Sequence, residues 1–526
     1  MDTINDSRLL PIGIQSFEKL RSEGFLYVDK TALVYKLANS RLPYFLSRPR
    51  RFGKSLLLST LEAYFQGKKG LFKGLAIEQL EKDWKEYPVL HLDLNAEKYD
   101  SRKALESILE RQLKGWEELY GTGGEGITHS GRFMTVIQKA YEKTGRRVVV
   151  LVDEYDKPML RSMHDEALQK DFRETLTAFY TVLKDADLYL QFVFITGVTK
   201  FAQMGTFSNL NQLNDISFDI EYDTLCGMTR PEIEATFRPE LETMATKNKL
   251  AFDNMFAELT RQYDGYRFTP DEEFHPMYNP FSVLSALSKS RFGNYWFASG
   301  TPTFLVEMLQ KTDYDLREME GVEVSAASLS DDRANLHNPI PMIYQSGYLT
   351  IKEYDERFRH YTLGFPNEEV KYGFLNFAAP FYTPVAAQDT AFYIGKFVRE
   401  LEKGDTEAFL TRLRAFFADI PYELNDKTER HYQVIFYLVF KLMGQFVEAE
   451  VRSAKGRADA VVRTDNYIYV FEFKLNGSAN EAIRQIDERG YLIPYTVDNR
   501  KLVKVGVSFN REERNLGEWV IISGRP

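Results

Sequence analysis

The chain runs to 526 residues, of which 44% are hydrophobic and 27% charged, with a net charge of −9. This is the composition of a soluble globular protein long enough for about three to four domains, each burying its own core. The negative balance argues against nucleic-acid binding over the whole surface, the single Cys226 excludes a disulfide framework or a thiolate metal cluster, and no apolar run approaches the ~20 residues of a membrane span.

The first residues, MDTINDSRLLPIG, lack the basic-then-apolar build of a signal peptide, so a cytoplasmic protein is expected. In chain order, four short apolar runs come first: 42–46, 89–94, 148–152 and 190–195. Helical patterns separate them, which predicts a parallel sheet covered on both faces over residues 1–220. Residues 221–385 read as a helical middle domain, punctuated by YDGYRF (263–268), YNPFSVL (278–284) and SGTPTFL (299–305). A charged amphipathic helical stretch over 386–430 leads into a helix, a strand hairpin, a further helix and more strands, making 386–526 a third, α/β domain. Residues 431–526 hold fourteen Lys/Arg against twelve Asp/Glu, while the other 430 residues carry 53 against 64. The C-terminal region is therefore the better suited to a polyanionic partner.

The first apolar run leads into SRPRRFGKS (47–55) and then the amphipathic KSLLLSTLEAYF. Strand, loop and helix in this order are the context of a phosphate-binding loop. Gly53 and the amide N–H groups at the helix start would face phosphate, Lys54 would reach the β/γ oxygens, and Ser55 would offer a hydroxyl to Mg²⁺. Arg48 stands where the first glycine of the pattern belongs, and Arg50 and Arg51 add cations near the phosphates. Such a loop requires a carboxylate at the end of a neighbouring buried strand. VVVLVDE (148–154) supplies it: Asp153 for Mg²⁺ and Glu154 to polarise the attacking water. Taken alone, the same residues could be a strand running into a solvated acidic turn. The next strand ends at Thr196, where ATPases of this class keep a polar γ-phosphate sensor.

At the other end, GRADAVV (456–462) and YIYVFEFK (467–474) read as two strands around an Asp465-Asn466 turn. With a two-residue loop, Asp459 falls opposite Glu472, their Cβ atoms about 4.5–5.5 Å apart. Lys474 shares their face, and Phe471 and Phe473 take the other. Like charges directly opposed destabilise a sheet unless something binds between them. Oxygen ligands alone select a hard cation, Mg²⁺ or Mn²⁺, and Glu450 could add a third carboxylate. Lys474 beside such a cation would position or deprotonate a water for attack on a phosphodiester.

RPRRFGKS, VLVDEYDKP, YVDKT (27–31) and the three middle motifs, in this order, resemble the bacterial AAA-ATPase-like proteins that carry a C-terminal PD-(D/E)XK nuclease-superfamily domain. The resemblance spans nearly the whole chain, and Arg at position 48 is usual within it. It implies an AAA-like P-loop NTPase parallel-sheet domain, a helical lid and a PD-(D/E)XK nuclease-like domain. In that domain Glu450, Asp459, Glu472 and Lys474 match the nuclease pattern, and Gln485 matches a polar position many members keep. For the middle motifs, packing and turn formation is the expected role.

Two functions follow. One is an ATP-binding and ATP-hydrolysing protein coupled to a Mg²⁺-dependent nuclease acting on DNA or RNA. The other is a regulatory ATPase switch whose nuclease-like domain is inactive and only binds nucleic acid or a partner. No arginine finger is assignable, which leaves assembly into a homo-oligomer open.

Overall fold

The computed structural model describes residues 8–524 except 96–97, 124–127, 164, 201–211, 301–304, 306–308, 310–313, 330–337, 384–386, 419–428, 452–457, 475–476, 511–512 and 514, and of residues 327, 387–388, 429–432 and 450–451 it describes the backbone alone. The chain divides into two compact units, residues 1–301 with 319–370, and residues 302–318 with 371–526. Most of the stretch expected as a separate middle domain, up to Val370, thus belongs to the first unit.

The first unit is built on strands β1 (Pro43–Ser47), β2 (Val89–Asp93), β3 (Val148–Asp153), β4 (Leu190–Gly197) and the two-residue β5 (Asn214–Asp215), in the order β2-β3-β4-β1-β5. Every pairing is parallel. All six residues of β3 are buried, which is why its sequence is a continuous apolar run: a central parallel strand has no solvated face. Helix α1 (Lys54–Phe65) packs on β2, β3 and β4. Helices α2 (Arg102–Tyr120), α3 (His129–Thr144) and α4 (Glu166–Asp185) bury Leu109, Val136 and Phe179 in one core with Val150 and Ile195 of the strands.

Beyond the sheet, α5 (Arg230–Lys247) starts from a Thr229–Glu232 capping box and kinks at Phe237, two residues before Pro239. It packs with α6 (Phe252–Tyr263) and α7 (Pro280–Lys289). One element here differs from the helical expectation. β6 (Val322–Ser325), β7 (Thr350–Asp355) and β8 (His360–Gly364) form a small antiparallel sheet in the order β6-β8-β7. Its strands are four to six residues long and partly exposed, too short for a clear period of two.

The unit boundary falls within α8 (Glu368–Tyr382). The second unit continues with α9 (Ala387–Glu402), α10 (Thr406–Ala418) and α11 (Glu429–Met443). Its sheet comprises β9 (Glu448–Val451), β10 (Ala460–Arg463), β11 (Tyr467–Lys474), β12 (Lys501–Asn510) and β13 (Asn515–Gly524), in the order β13-β12-β11-β10-β9. Only β11 and β12 pair in parallel, joined by a crossover through α12 (Ala479–Glu488). On one face Phe471 and Phe473 stack at 6.2 Å and meet Phe440 and Phe436 of α11. On the other, Ile468 and Val470 pack with Ile483 and Ile486 of α12.

Candidate functional site

The loop between β1 and α1 turns through two left-handed residues, Arg51 (φ 67°) and Gly53 (φ 93°). Gly53 is the N-cap of α1, and no side chain caps the helix. The first-turn N–H groups, which have no acceptor within a helix, are thereby left to an anion. Lys54 is buried, and its Nζ donates to the carbonyls of Arg48 and Pro49 at 3.0 and 3.1 Å. An ammonium whose hydrogen bonds go to neutral carbonyls, with Asp153 and Asp156 near but not ion-paired to it among the described residues, keeps its charge available to phosphate.

Arg48 differs. Fully buried, it donates from Nη1 to the carbonyls of Ser47 (2.9 Å) and Ser217 (2.8 Å) and from Nη2 to that of Tyr222 (3.3 Å), while its guanidinium lies 4.2 Å from the centroid of Phe268. The residue at the missing glycine position thus stitches the end of β1 to the 217–222 turn. Its burial lowers its pKa from the ordinary arginine value.

Across the sheet edge, the Ser55 hydroxyl hydrogen-bonds Asp153, whose carboxyl is raised above its usual range by burial, with that bond opposing. Glu154 takes a left-handed backbone (φ 48°) and pairs with Lys157 at 2.8 Å. Ser55 and Asp153 are therefore brought together, with Glu154 next in the chain. Thr196 ends β4 one residue beyond the Val152–Ile195 pair, which sets it next to Asp153 in the sheet, and its buried hydroxyl donates to the Leu46 carbonyl at 2.7 Å, between β4 and β1. The turn after Asp153 is not a solvated acidic one. Asp156 is 1% exposed and accepts from the Val198 and Thr199 amides at 2.9 and 2.7 Å and from the Thr199 hydroxyl at 2.7 Å. This locks the 153–156 turn to the exit of β4, a role hidden in sequence because the two segments lie more than forty residues apart.

The middle motifs pack, as expected, and what they pack against is the loop. Phe52 sits edge-on to Tyr266 and Phe268 at 4.8 and 5.3 Å, and Arg51 lies over Phe281 at 4.8 Å. Arg50 lies over Trp296 at 4.6 Å, donates from Nη2 to the Tyr348 hydroxyl at 3.2 Å, and accepts at its carbonyl from Trp296 Nε1 at 3.1 Å. In SGTPTFL, Gly300 lies against the tip of Arg50: a Cβ there would stand 2.4 Å from Nη1, so a side chain would have to displace the guanidinium; residues 301–304 of that motif lie outside the described residues. The signal for this clamp in sequence is only the density of aromatics around Gly and Pro.

In the second unit, β10 and β11 pair Ala460 with Phe471 and Val461 with Val470. That is the register of a two-residue loop, and it carries Asp459 to Glu472. Asp459 lies one residue before the strand, and its Oδ2 accepts from the Phe473 amide at 2.8 Å. Glu472 is 3% exposed and its Oε2 has no partner among the described residues. Burial first, and then the Asp459 charge, push its pKa up to about 7; burial likewise raises Asp459. Lys474 Nζ stands 3.4 Å from Glu472 Oε1, and Gln485 of α12 bridges the two, accepting from Lys474 and donating to Glu472. Glu450 lies in β9 opposite Val461; its side chain is outside the described residues. A buried carboxylate with an oxygen unpartnered among the described residues, beside a half-buried one, offers the hard oxygen donors that a divalent cation takes, although no group of three such side chains forms among the described residues.

A parallel sheet in this order with a loop-to-helix anion cradle at its edge, followed by a mixed sheet with facing carboxylates, defines a P-loop ATPase-like domain joined to a nuclease-like one. The family model described as predicted AAA-ATPase matches residues 11–207, and that of the PD-(D/E)XK nuclease superfamily matches residues 427–519. The chain is also 34% identical over 525 residues to an uncharacterized protein in the vnfD 5′ region of Azotobacter chroococcum mcd 1, covering 98% of this chain and 99% of that one. The chain belongs to this family of AAA-ATPase-like proteins with a C-terminal PD-(D/E)XK domain. Among the described residues, no helix is long and apolar enough to cross a membrane.

Proposed function

We propose that the chain binds and hydrolyses ATP in its N-terminal domain and cleaves DNA or RNA phosphodiesters in its C-terminal one, with nucleotide state governing the cleavage. For the first activity, the α1 amides and Lys54 receive the phosphates, Arg50 and Arg51 add cationic donors, and Ser55 and Asp153 hold Mg²⁺. Mg²⁺ bound there neutralises charge on the β- and γ-phosphates. Glu154 accepts the proton of the attacking water once it turns from Lys157.

The observation that carries the second activity is Glu472, a buried carboxylate beside Asp459 with an oxygen left without a partner among the described residues. Asp459 and Glu472, with Glu450 as a third carboxylate, would hold Mg²⁺ or Mn²⁺, which would supply Lewis-acid stabilisation of the developing charge. Lys474 positions or deprotonates the attacking water, and Gln485 orients Lys474. Incubating the protein with DNA and with RNA, with and without Mg²⁺ or Mn²⁺ and ATP, tests this. Metal-dependent cleavage that disappears in Asp459→Asn is the expected result. ATP hydrolysis without cleavage of either polymer would leave the regulatory switch as the function.

A further inference from the structure

The aromatic motifs of residues 263–300 take no part in the chemistry above, yet they grip the phosphate-binding loop. Arg50 stands three residues before Gly53, the N-cap of α1. At rest its guanidinium lies over the Trp296 ring and donates to the Tyr348 hydroxyl, while its Nε is buried with no hydrogen-bond partner among the described residues. A guanidinium left under-satisfied beside an anion cradle has more to gain from phosphate oxygens than from a ring face and one neutral hydroxyl. Trp296 cannot ignore that exchange. Its indole is 0% exposed, its Nε1 is bonded to the Arg50 carbonyl, and its own backbone N–H donates to Glu369 Oε1 at 2.7 Å. Glu369 is 1% exposed, takes a second bond from the Ser282 hydroxyl at 2.6 Å, and lies in the first turn of α8, the helix within which the two compact units meet along the chain. The loop is closely packed from this side: Gly300 abuts Arg50 Nη1, and a Cβ on Gly347 would stand 2.6 Å from the Pro49 ring.

We propose that Arg50, Trp296 and Glu369 form a nucleotide-sensing relay, in which ATP phosphates draw Arg50 off Trp296 and the change passes through Glu369 into helix α8. The relay rests on the ATP-binding reading and names the element that ATP would act through. Its two states are Arg50 on Trp296 and Arg50 on phosphate, so ATP biases it by exactly the difference between those contacts.

Hydrogen exchange on the intact protein, with and without Mg²⁺ and ATP, reads the relay directly at residues 294–300 and 368–382. Both segments should change exchange on ATP binding. Trp296→Phe keeps a ring but loses the bond to the Arg50 carbonyl; Glu369→Gln keeps an acceptor oxygen but loses the charge. In each folded variant, ATP affinity measured by calorimetry should stay within about threefold of wild type, while the response of 368–382 falls by about half or more. Two results overturn the relay: ATP binding to the wild type with no change at 368–382, or an undiminished change in both variants. Failure of the wild type to bind ATP at all would instead remove the ATP-binding reading, and the relay with it.

Discussion

Lys54 and Arg48 are buried cations six residues apart that both bond backbone carbonyls, and where those carbonyls lie separates their roles. Arg48 makes three bonds to carbonyls and one ring contact, so its place is in the fold. Lys54 makes two bonds, both to the loop whose helix end lacks a cap. Lys54→Ala should therefore lower ATP affinity by about 10–100-fold, the worth of a charge-assisted bond, with little change in thermal stability; calorimetric titration and a melting curve check both. Arg48→Met should do the reverse and destabilise by about 2–4 kcal/mol, read from denaturant unfolding, because it strands buried carbonyls. At the second site, Lys474→Ala keeps Asp459 and Glu472, so stabilisation by Mn²⁺ measured without nucleotide should survive. Cleavage should fall by about 100-fold or more, the usual contribution of a positioned acid or base.

At the scale of elements, the strand-to-helix turn at β1–α1 depends on one backbone conformation. A Cβ on Gly53 would meet nothing within 4 Å, so space does not require glycine there; the φ of +93° does. Gly53→Ala should cost about 1–2 kcal/mol through strain alone and should weaken ATP binding as well, because relief of the strain moves the α1 amides. Unchanged affinity together with lowered stability would show that the turn and the cradle are separable. The β10–β11 hairpin works differently. There the register, and no single residue, sets Asp459 against Glu472, and a slip of one residue would send Glu472 to the Phe440 face.

At the scale of the molecule, the two compact units should respond to different ligands. ATP with Mg²⁺ should stabilise the first by about 2.7 kcal/mol at one hundred times its dissociation constant, and Mn²⁺ without nucleotide should act on the second; calorimetry with each ligand in turn should move different parts of the unfolding profile. Glu369 gives the first unit a pH dependence. Burial raises its pKa to about 7 against an ordinary carboxyl near 4.5. The folded state then holds a proton that the unfolded state releases between these values. Its contribution is present below about pH 4.5 and is lost as pH rises to about 7. Glu369→Gln should remove that decline, a difference of up to about 3 kcal/mol between pH 5 and pH 8, seen by comparing the melting of variant and wild type across this range.

Much of this was legible in the residues themselves. The four apolar runs announced the parallel sheet because a strand buried on both faces must be apolar throughout, and the short hairpin made the meeting of Asp459 and Glu472 a matter of counting, since strand side chains alternate with a period of two. The loop before Lys54 was recognisable because strand, turn and helix follow one another locally. What tertiary structure alone decided is which distant groups complete these sites. The bond from the Thr196 hydroxyl to the Leu46 carbonyl is one such contact, because the partner of a strand-end side chain depends on the neighbouring strand. Asp156 is locked to Thr199, Phe52 is wedged between Tyr266 and Phe268, and Arg50 rests on Trp296. No periodicity encodes such contacts: they join segments up to two hundred and forty-six residues apart, and they exist only where close packing brings those segments together.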